Sequence, residues 1–428
     1  MEGGMISVDR WSKGSSAYFL THLHSDHTRG LSSTWRNGPL YCSRTTAKLF
    51  PLKFPDFDLS LLRVVDIGSW LKLSLSSSVH VMPIHALHCP GAVMFLFRGD
   101  FGHVLYTGDF RWEINGVQSE NARNMLFNAL NGQILDVLYL DNTYCNPAYC
   151  FPTRNVAAQQ VIDIITSYPD HDIIIGIDSL GKEDLLISIA ESLNIKIWVW
   201  PERLQTMHLL GLPDIFTTRT CLTRVRAVPR YSFSIDTLEA LNKRKPTIGI
   251  MPSGLPWLVK SFAGEKQSSA SSCLTVDSTS RRKALRDGTR VDLNMKSVEK
   301  VHQYVYSVPY SEHSCFPEIK HFYSLLQPSH VKGIVTVSAW YVDPVYYLGH
   351  LLKTNLANEM NSLNLETHGE VESKLKMKNK NFKTTGKKYR SSDKFTSGVQ
   401  VHRVNLQRKT RGIRITECDD FDFPAGKT

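Results

Sequence analysis

The sequence predicts an α/β fold, and three observations support this prediction. Up to about residue 150, short apolar runs end in polar residues, which is typical of β-strands joined by loops. Beyond residue 150, strand-like runs alternate with amphipathic helical segments, and this alternation predicts a parallel sheet covered by helices. The third observation is the stretch Thr-His-Leu-His-Ser-Asp-His at 21–27, which places polar chemistry directly after an apolar run.

The first region is predicted to be mainly β. Its candidate strands are Ile6–Asp9, Ala17–Leu20, Pro39–Cys42, Val79–Ile84, Val93–Phe97, His103–Thr107 and Leu138–Leu140. The turn residues Arg-Gly-Asp at 98–100 join two of these strands as a hairpin. A short helix is predicted at Thr45–Phe50, and residues 51–75 are predicted to be irregular.

In the second region, segments with the hydrophobic pattern of helices alternate with segments that have the pattern of strands. Helices are predicted at Asn155–Ser167, Glu183–Leu193, Leu204–Leu210 and Pro317–Leu326, and strands at Asp172–Ile177, Ile195–Trp200, Thr247–Met251, Val301–Val308 and Val331–Val337. Residues 264–290 are Ser-rich and predict a mobile loop. Residues 355–428 are predicted to be a basic, mainly disordered tail, either a solubilising linker or an arm for nuclear import or nucleic acid.

Length and composition restrict the class of protein. A chain of 428 residues predicts two domains, or one large domain with insertions. The formal net charge of +10 favours a polyanionic partner, either nucleic acid or an acidic membrane surface. The eight cysteines form no CxxC pair, which argues against a disulfide framework or a zinc knuckle. Because neither a signal peptide nor a long apolar span is apparent, a soluble intracellular protein is expected.

The stretch at 21–27 predicts a metal centre. Four candidate ligands occur within six residues, and imidazole and carboxylate both bind zinc-like cations. In an extended segment His22, His24 and Asp26 point to one side, whereas His27 requires the chain to turn, with a helix expected there. A single histidine would more often be an ordinary core or surface residue, but this spacing favours two adjacent metals.

Three residues further along the chain complete this candidate site. His88 lies on a tight turn before Cys-Pro-Gly, although His85 competes for the role. Asp109 follows Gly108 at a strand end, and His313 follows the predicted strand at 301–308; taken singly, the former could cap a turn and the latter could be a surface residue.

Counting donors suggests two ligand sets. The first metal is assigned to His22, His24 and His88, the second to Asp26, His27 and His313, and Asp109 is expected to bridge them. Open positions for water would remain on each metal, as in catalytic sites. Asp9 and Asp141 are interpreted as carboxylates that orient ligand imidazoles through the second ring nitrogen.

A second candidate site is the turn Ser-Leu-Gly-Lys at 179–182. A hydroxyl, a lysine and the N–H groups of a helix N-terminus suit an anion, especially phosphate. The spacing of a Walker A loop is missing, and taken alone the turn could be a plain helix start with an exposed lysine.

The motifs occur in an order that resembles a known family. The His-x-His-x-Asp-His motif, His88 and Asp109 match the metal motifs of the metallo-β-lactamase fold in order and type. Further blocks are Leu-Ser-Ser-Thr-Trp at 31–35, Pro-Leu-Tyr-Cys-Ser at 39–43, His-Cys-Pro-Gly at 88–91, Leu-Tyr-Thr-Gly-Asp-Phe-Arg at 105–111, Leu-Tyr-Leu-Asp-Asn-Thr at 138–143, Ser-Leu-Gly-Lys-Glu at 179–183 and Pro-Tyr-Ser-Glu-His-Ser at 309–314. The chain thus resembles the β-CASP DNA nucleases of the Apollo and Artemis type, with the greater likeness to the Apollo branch, over roughly residues 5–340. Residues 112–135 match poorly, and no partner-docking peptide is recognisable in the tail.

The resemblance implies an architecture and residue roles. It implies a metallo-β-lactamase αββα sandwich formed by 1–150 and 303–345, with an inserted β-CASP α/β cap domain at 151–302. His22, His24, Asp26, His27, His88, Asp109 and His313 match the metal ligands, of which Asp26, His27, Asp109 and His313 are the expected catalytic residues, and Asp9 and Asp141 match the supporting acids. Thr143, Ser179, Gly181, Lys182 and Ser311 fall where a 5′-phosphate pocket is expected. Val335 occupies a position at which valine accompanies DNA and histidine accompanies RNA substrates.

These roles imply a function. The expectation is a metal-dependent 5′→3′ DNA exonuclease acting on 5′-phosphorylated ends in nuclear DNA repair, including interstrand crosslink processing, with Asp26 as a candidate proton acceptor. Zn²⁺ is the expected cofactor at one or two positions, and Mg²⁺ or Mn²⁺ is an alternative at the second. The alternatives are a structure-selective endonuclease of the Artemis type, which opens hairpins or overhangs, and a non-catalytic DNA-binding scaffold. The sequence identifies no protein partner and no membrane association.

Overall fold

Three β-sheets, with helices packed on their outer faces, make up the computed structural model. It describes residues 4–75, 78–254, 297–336, 341–351 and 410–415. The predicted mobile loop at 264–290 and most of the predicted tail at 355–428 lie outside the described residues. No helix within the described ranges is both long enough and apolar enough to span a membrane.

The first sheet has five strands in the order β18-β1-β2-β3-β4. They are β1 (Gly4–Val8), β2 (Ser15–Phe19), β3 (Leu40–Ser43), β4 (Leu62–Val65) and β18 (Ile413–Ile415). β18 runs antiparallel to β1, with Ile6 opposite Ile415. Its residues belong to the segment predicted to be disordered, so that prediction is wrong for 410–415. The two isoleucines alternate around one arginine, a pattern too short to recognise within a basic stretch.

The second sheet has six strands in the order β17-β9-β8-β7-β6-β5. They are β5 (Leu71–Ser74), β6 (Ser78–His85), β7 (Val93–Gly99), β8 (Gly102–Tyr106), β9 (Val137–Leu140) and β17 (His330–Gly333). Its inner face packs on the first sheet through aromatic and branched side chains, for example Phe19, whose ring centroid lies 5.1 Å from those of Phe95 and Phe97. Burial of this apolar surface contributes about 25 cal/mol per Å² and holds the sheets face to face.

Helices cover both outer faces of this pair of sheets. α1 (Arg44–Lys53) packs outside the first sheet, and α2 (Val117–Leu130), α7 (Phe316–Leu326) and a helix that includes residues 344–351 pack outside the second. Ser43 begins α1, because its side chain accepts the Thr46 N–H. The predicted αββα sandwich is therefore confirmed.

The third sheet forms the cap, with seven strands in the order β12-β11-β13-β10-β14-β16-β15. They are β10 (Asp172–Ile177), β11 (Ile197–Trp198), β12 (Phe216–Thr217), β13 (Val225–Pro229), β14 (Thr247–Pro252), β15 (Glu299–His302) and β16 (Val305–Val308). α3 (Arg154–Ser167), α4 (Glu183–Leu193) and α5 (Pro201–Leu210) pack on one face, and α6 (Ile235–Asn242) packs on the other. The strands are parallel except for the β15–β16 pair. This sheet extends to Val308, beyond the boundary expected at residue 302.

Four local predictions differ from the structure. Residues 51–75, predicted to be irregular, contain β4 and β5. The single strand predicted at Val301–Val308 is the β15–β16 hairpin, because a turn at 303–304 reverses the chain. The strand predicted at Ile195–Trp200 is only two residues long, since Pro201 starts a helix. His27 lies in a turn and starts no helix, because Asp9 and Asp109 hold its imidazole from both sides.

Candidate metal centre

All seven predicted metal ligands meet at one end of the sandwich. The loop after β2 carries His22, His24, Asp26 and His27, and the loops after β6, β8 and β16 carry His88, Asp109 and His313. Six of them, together with Cys89, form three overlapping groups whose ligand atoms lie within 4.8 Å of one another: His22, His24, His88 and Cys89; His22, His27 and Asp109; and His88, Asp109 and His313. The seventh, Asp26, lies 3.7 Å from His27. Four loops that are distant in sequence therefore build one centre.

Three imidazole nitrogens face one another at the middle of the first group. The Nδ1 atom of His24 lies 3.1 Å from Nε2 of His22 and 3.0 Å from Nε2 of His88. Burial lowers the pKa of His22 well below its usual value and that of His88 to about 3, so both rings are neutral near pH 7. A neutral imidazole carries one N–H, and its position follows from the outer hydrogen bonds.

Each outer nitrogen of these rings has an acceptor. His24 donates through Nε2 to the carbonyl oxygen of Leu180 at 3.0 Å, and His88 donates through Nδ1 to the carbonyl oxygen of Glu312 at 2.8 Å. The Thr21 hydroxyl gives its proton to Asp9 at 2.7 Å, so at 3.0 Å its oxygen accepts from Nδ1 of His22. The Nε2 atoms of His22 and His88 therefore carry lone pairs, and both face Nδ1 of His24. A divalent cation with M–N bonds of about 2 Å would be bound by all three nitrogens.

Asp109 lies between two sets of ligands. Its Oδ1 atom is 3.1 Å from Nε2 of His27, and its Oδ2 atom is 3.6 Å from Nε2 of both His22 and His88. Asp26 reaches the His27 side, with Oδ2 at 3.7 Å from Nε2 of His27. The geometry thus suits the bridging role predicted for Asp109.

His313 lies beside both Asp109 and His88. Its Nε2 atom is 3.9 Å from Oδ2 of Asp109, and its ring centroid is 4.6 Å from that of His88. By distance between ligand atoms His313 groups with His88 and Asp109. Its assignment to the second metal together with Asp26 and His27 stays a prediction.

Two further carboxylates, those of Asp9 and Asp141, contact ligand imidazoles and orient them. Asp9 accepts from Nδ1 of His27 at 2.6 Å and from the Thr21 N–H at 3.0 Å. Asp141 lies 2.8 Å from Nδ1 of His313. Burial alone would lower the pKa of His27, but Asp109 and Asp9 outweigh it and raise the pKa well above its usual value. In both cases the carboxylate holds Nδ1, which leaves Nε2 directed toward Asp109.

The turn at 179–182 connects the cap to this centre, and it does not present free phosphate donors. The ammonium of Lys182 is 3.1 Å from carboxylate oxygens of both Asp178 and Glu312, and its backbone N–H donates to Glu312 at 2.6 Å. The N–H of Gly181 donates to Glu183 at 3.0 Å. Lys182 is only 6% exposed. A phosphate would therefore compete with buried carboxylates for the Lys182 ammonium and the Gly181 N–H, and the phosphate-binding role of these two residues stays a prediction.

The other residues predicted to line the 5′-phosphate pocket have polar groups that already take part in hydrogen bonds within the protein. The carbonyl of Ser179 accepts from the Arg203 guanidinium, and the Thr143 hydroxyl donates to Asp141 at 2.5 Å. The Ser311 hydroxyl donates to the carbonyl of His313 at 2.8 Å. Val335 packs in the core between the two sandwich sheets and is 1% exposed, so its side chain does not face the cleft. Its role as a marker of DNA substrates stays a prediction.

Comparison with known proteins gives the family of this fold and centre. The model of the DNA repair metallo-beta-lactamase family matches residues 212–339. The chain is 38% identical over 352 residues to the 5′ exonuclease Apollo of Gallus gallus, covering 81% of this chain and 65% of that protein. It is 32% identical to the DNA cross-link repair protein SNM1 of Arabidopsis thaliana over 74% of this chain and 60% of that protein. It is 30% identical to the human DNA cross-link repair 1A protein over 77% of this chain and 29% of that protein.

This chain belongs to the DNA-repair metallo-β-lactamase family. The resemblance read from the motifs is thereby confirmed. The chain spans less than two thirds of the length of the first two relatives, 65% and 60%, and less than a third of that of the human protein. The match to the family model includes residues 212–254. The sequence predicted no helix or strand between residues 212 and 246, although the structure has both there.

Two residues close to the centre, Cys89 and Arg230, were not predicted from the sequence. The thiol of Cys89 belongs to the first ligand group, although its burial and the nearby Glu312 raise its pKa well above the usual value. Arg230 follows β13 at the carboxyl edge of the cap sheet, where it donates to Ser253 at 2.9 Å and lies 3.5 Å from Asp178. Ligands in parallel sheets commonly bind at this edge. The available signals were the quoted His-Cys-Pro-Gly block and the Val-Pro-Arg-Tyr-Ser ending of β13.

Proposed function

We propose that the chain is a metal-dependent nuclease that removes nucleotides from the 5′-phosphorylated end of DNA. The observation that carries this proposal is the convergence of three imidazole nitrogens beside the shared carboxylate of Asp109. The named relatives, a 5′ exonuclease and DNA cross-link repair proteins, support a DNA substrate. The formal net charge of +10 suits a polyanion.

The residues have distinct roles in this proposal. His22, His24 and His88 would hold one divalent metal, His27 and Asp26 would hold a second, and Asp109 would be shared between them. Zn²⁺ fits the nitrogen-rich set, while Mg²⁺ or Mn²⁺ is an alternative at the second position. When bound, the metals supply Lewis-acid polarisation of the phosphodiester and a lowered pKa for water.

The chain itself supplies orientation and proton acceptance. Asp9 holds the Nδ1–H of His27 and so keeps Nε2 directed toward Asp109 inside the centre. Asp26 has a side chain that is 20% exposed and lies at the open edge of the centre, so it can accept a proton from the attacking water. His313, held by Asp141, lies beside Asp109 and can contact the scissile phosphate.

For the terminal 5′-phosphate we propose Arg230 as the cationic partner in place of Lys182. The guanidinium is only partly neutralised by Asp178, and its buried Nε has no hydrogen-bond partner among the described residues. The Ser253 hydroxyl, which accepts from Arg230, and the Ser311 hydroxyl complete a polar wall beside Gly254. Arginine binds phosphate through two parallel donors, whereas the Lys182 ammonium is already neutralised by two carboxylates.

A single assay tests these proposals. The full chain loaded with Zn²⁺ is given 5′-phosphorylated, 5′-hydroxyl and hairpin DNA of the same sequence. We expect stepwise loss from the phosphorylated end and slow cleavage of the other two. Failure to cleave any of them would refute the nuclease proposal, and equal digestion of the first two would refute the phosphate pocket. Rapid hairpin opening would favour the alternative, a structure-selective endonuclease.

One substitution tests whether Arg230 causes the preference for a 5′-phosphorylated end. Arg230→Gln should lower the ratio of kcat/KM between phosphorylated and hydroxyl ends by about tenfold or more, because a charge-assisted hydrogen bond contributes about 1.5–3 kcal/mol. Arg244→Gln, an exposed arginine elsewhere on the cap, is the matched control and should leave the ratio unchanged. An unchanged ratio in the Arg230 variant would rule out this residue.

We also propose that the chain acts in the nucleus in DNA repair, including crosslink processing. The support is the repair function in the relatives' names together with the basic composition. Exclusion of the tagged full chain from nuclei would contradict this. A purely non-catalytic scaffold is disfavoured, since all seven predicted ligands are present and brought together.

A further inference from the structure

Residues 410–415 lie against the loop that carries Asp26 and His27, although 83 residues separate Thr410 from Leu326 at the end of α7. The Thr410 hydroxyl donates to the backbone carbonyl of Asp26 at 3.1 Å, and Thr410 pairs with Val335 as an isolated bridge. The N–H of Arg411 donates to the carbonyl of Ile334 at 2.7 Å, and the hydroxyl of Tyr106 donates to the carbonyl of Arg411 at 3.3 Å. The segment thus joins the metal-ligand loop to the second sheet.

Gly412 packs directly on the residue that orients His27. A Cβ atom at this position would overlap the backbone of Asp9 and the carbonyl oxygen of Val8. Asp9 itself has φ of +50°, a left-handed conformation that non-glycine residues rarely adopt and that its surroundings must hold in place. Only a glycine allows the segment to approach this backbone so closely.

The strand that follows Gly412, β18, is bound to β1, to the core between the sheets and to the loop after β1. β18 pairs with β1 in a register that sets Val8 opposite Ile413, and the side chains of Ile413 and Ile415 enter the inter-sheet core. Arg414 donates to the carbonyl oxygens of Ser12 at 3.1 Å and Lys13 at 2.6 Å, just beyond Asp9. Contacts therefore precede and follow the Gly412–Asp9 approach, so the segment cannot shift without disturbing β1.

We infer that residues 410–415 are a positioning element for the half of the metal centre formed by Asp26 and His27. Gly412 holds the Asp9 backbone whose carboxylate orients His27, and Thr410 holds the backbone of Asp26. The other half, with His24 and His88, is held by Leu180 and Glu312 and has no hydrogen bond to this segment among the described contacts. The catalytic consequence rests on the proposed nuclease function, but the positioning itself does not.

The test measures amide hydrogen exchange in the metal-free full chain. In Gly412→Ala and Thr410→Val, peptides covering 21–28 should exchange at least about threefold faster, which is the loss expected from one weakened hydrogen bond. Peptides covering 85–91, which carry His88, should be unchanged. Gly132→Ala is the control for a general loss of stability, because a Cβ there meets no atom within 4 Å while the φ of +75° strains an alanine. Thr410→Val preserves side-chain volume, and it decides the matter if the alanine variant does not fold.

Two outcomes would overturn the inference. Unchanged exchange at 21–28 in both variants would show that the segment does not hold the loop. Equal acceleration at 21–28 and 85–91 would show a general loss of stability. A zinc titration measures the two metal affinities independently of exchange. In both variants we expect zinc to bind more weakly at Asp26 and His27, while its affinity for the other position is unchanged. If the wild-type chain cleaves no DNA while exchange changes only at 21–28, the nuclease proposal fails and this inference stands.

Discussion

Substitution of Lys182 by methionine distinguishes a structural role for this residue, as part of a buried ion pair, from a role in binding the 5′-phosphate. The side chain is 6% exposed and its ammonium lies 3.1 Å from both Asp178 and Glu312. Burial alone would lower its pKa, but the two carboxylates outweigh this and raise it, so the group is charged at neutral pH. Methionine retains most of the volume and removes the charge. Removing one partner of a buried ion pair costs about 3–5 kcal/mol, because the remaining charge is left uncompensated.

The variant should therefore lose about 3–5 kcal/mol in the free energy of unfolding, measured by urea denaturation with and without bound metal. Activity should fall equally on 5′-phosphorylated and 5′-hydroxyl DNA, since Glu312 holds His88 through its carbonyl. Adding Glu312→Gln should recover part of the lost stability, because it removes one of the stranded charges. Unchanged stability with a selective loss of the 5′-phosphate preference would refute this reasoning and restore Lys182 to the phosphate pocket.

Three further outcomes are expected. Asp26→Asn combined with His27→Ala should abolish cleavage while circular dichroism stays that of the folded chain; retained activity would contradict a two-metal mechanism. Removing metal with a chelator should lower the melting temperature, and zinc at a hundred times its dissociation constant should restore about 2.7 kcal/mol; a melting temperature insensitive to both would contradict the lone-pair argument. Burial alone would raise the pKa of Glu312, but Lys182 outweighs it and lowers the pKa. Its stabilising contribution is therefore complete above pH 4.5 and is lost as the pH falls through the lower folded-state value, so the stability difference between wild type and Glu312→Gln should shrink below pH 4.5.

Much of the fold and the centre was predictable, because local patterns carried the information. The Ile-rich run of β10 is buried on both faces, and Ser43 and Pro201 mark helix starts, so these elements follow from nearby residues alone. β4, β5, β12 and β13 were missed, because they are short and their burial depends on neighbouring strands. The hairpin at 299–308 was predicted as one strand, since only cross-strand pairing distinguishes the two.

The sequence by itself determined which side chains could bind metal and in what order they occur. His22, His24, Asp26 and His27 are adjacent in the chain, and ligand chemistry depends on residue type, so composition and spacing were sufficient. Only the tertiary structure decided what each group faces. It paired Lys182 with Glu312, placed His313 beside His88, and brought residues 410–415 onto Asp9. These contacts join residues far apart in sequence, and pairing, burial and steric fit exist only after the sheets have packed together.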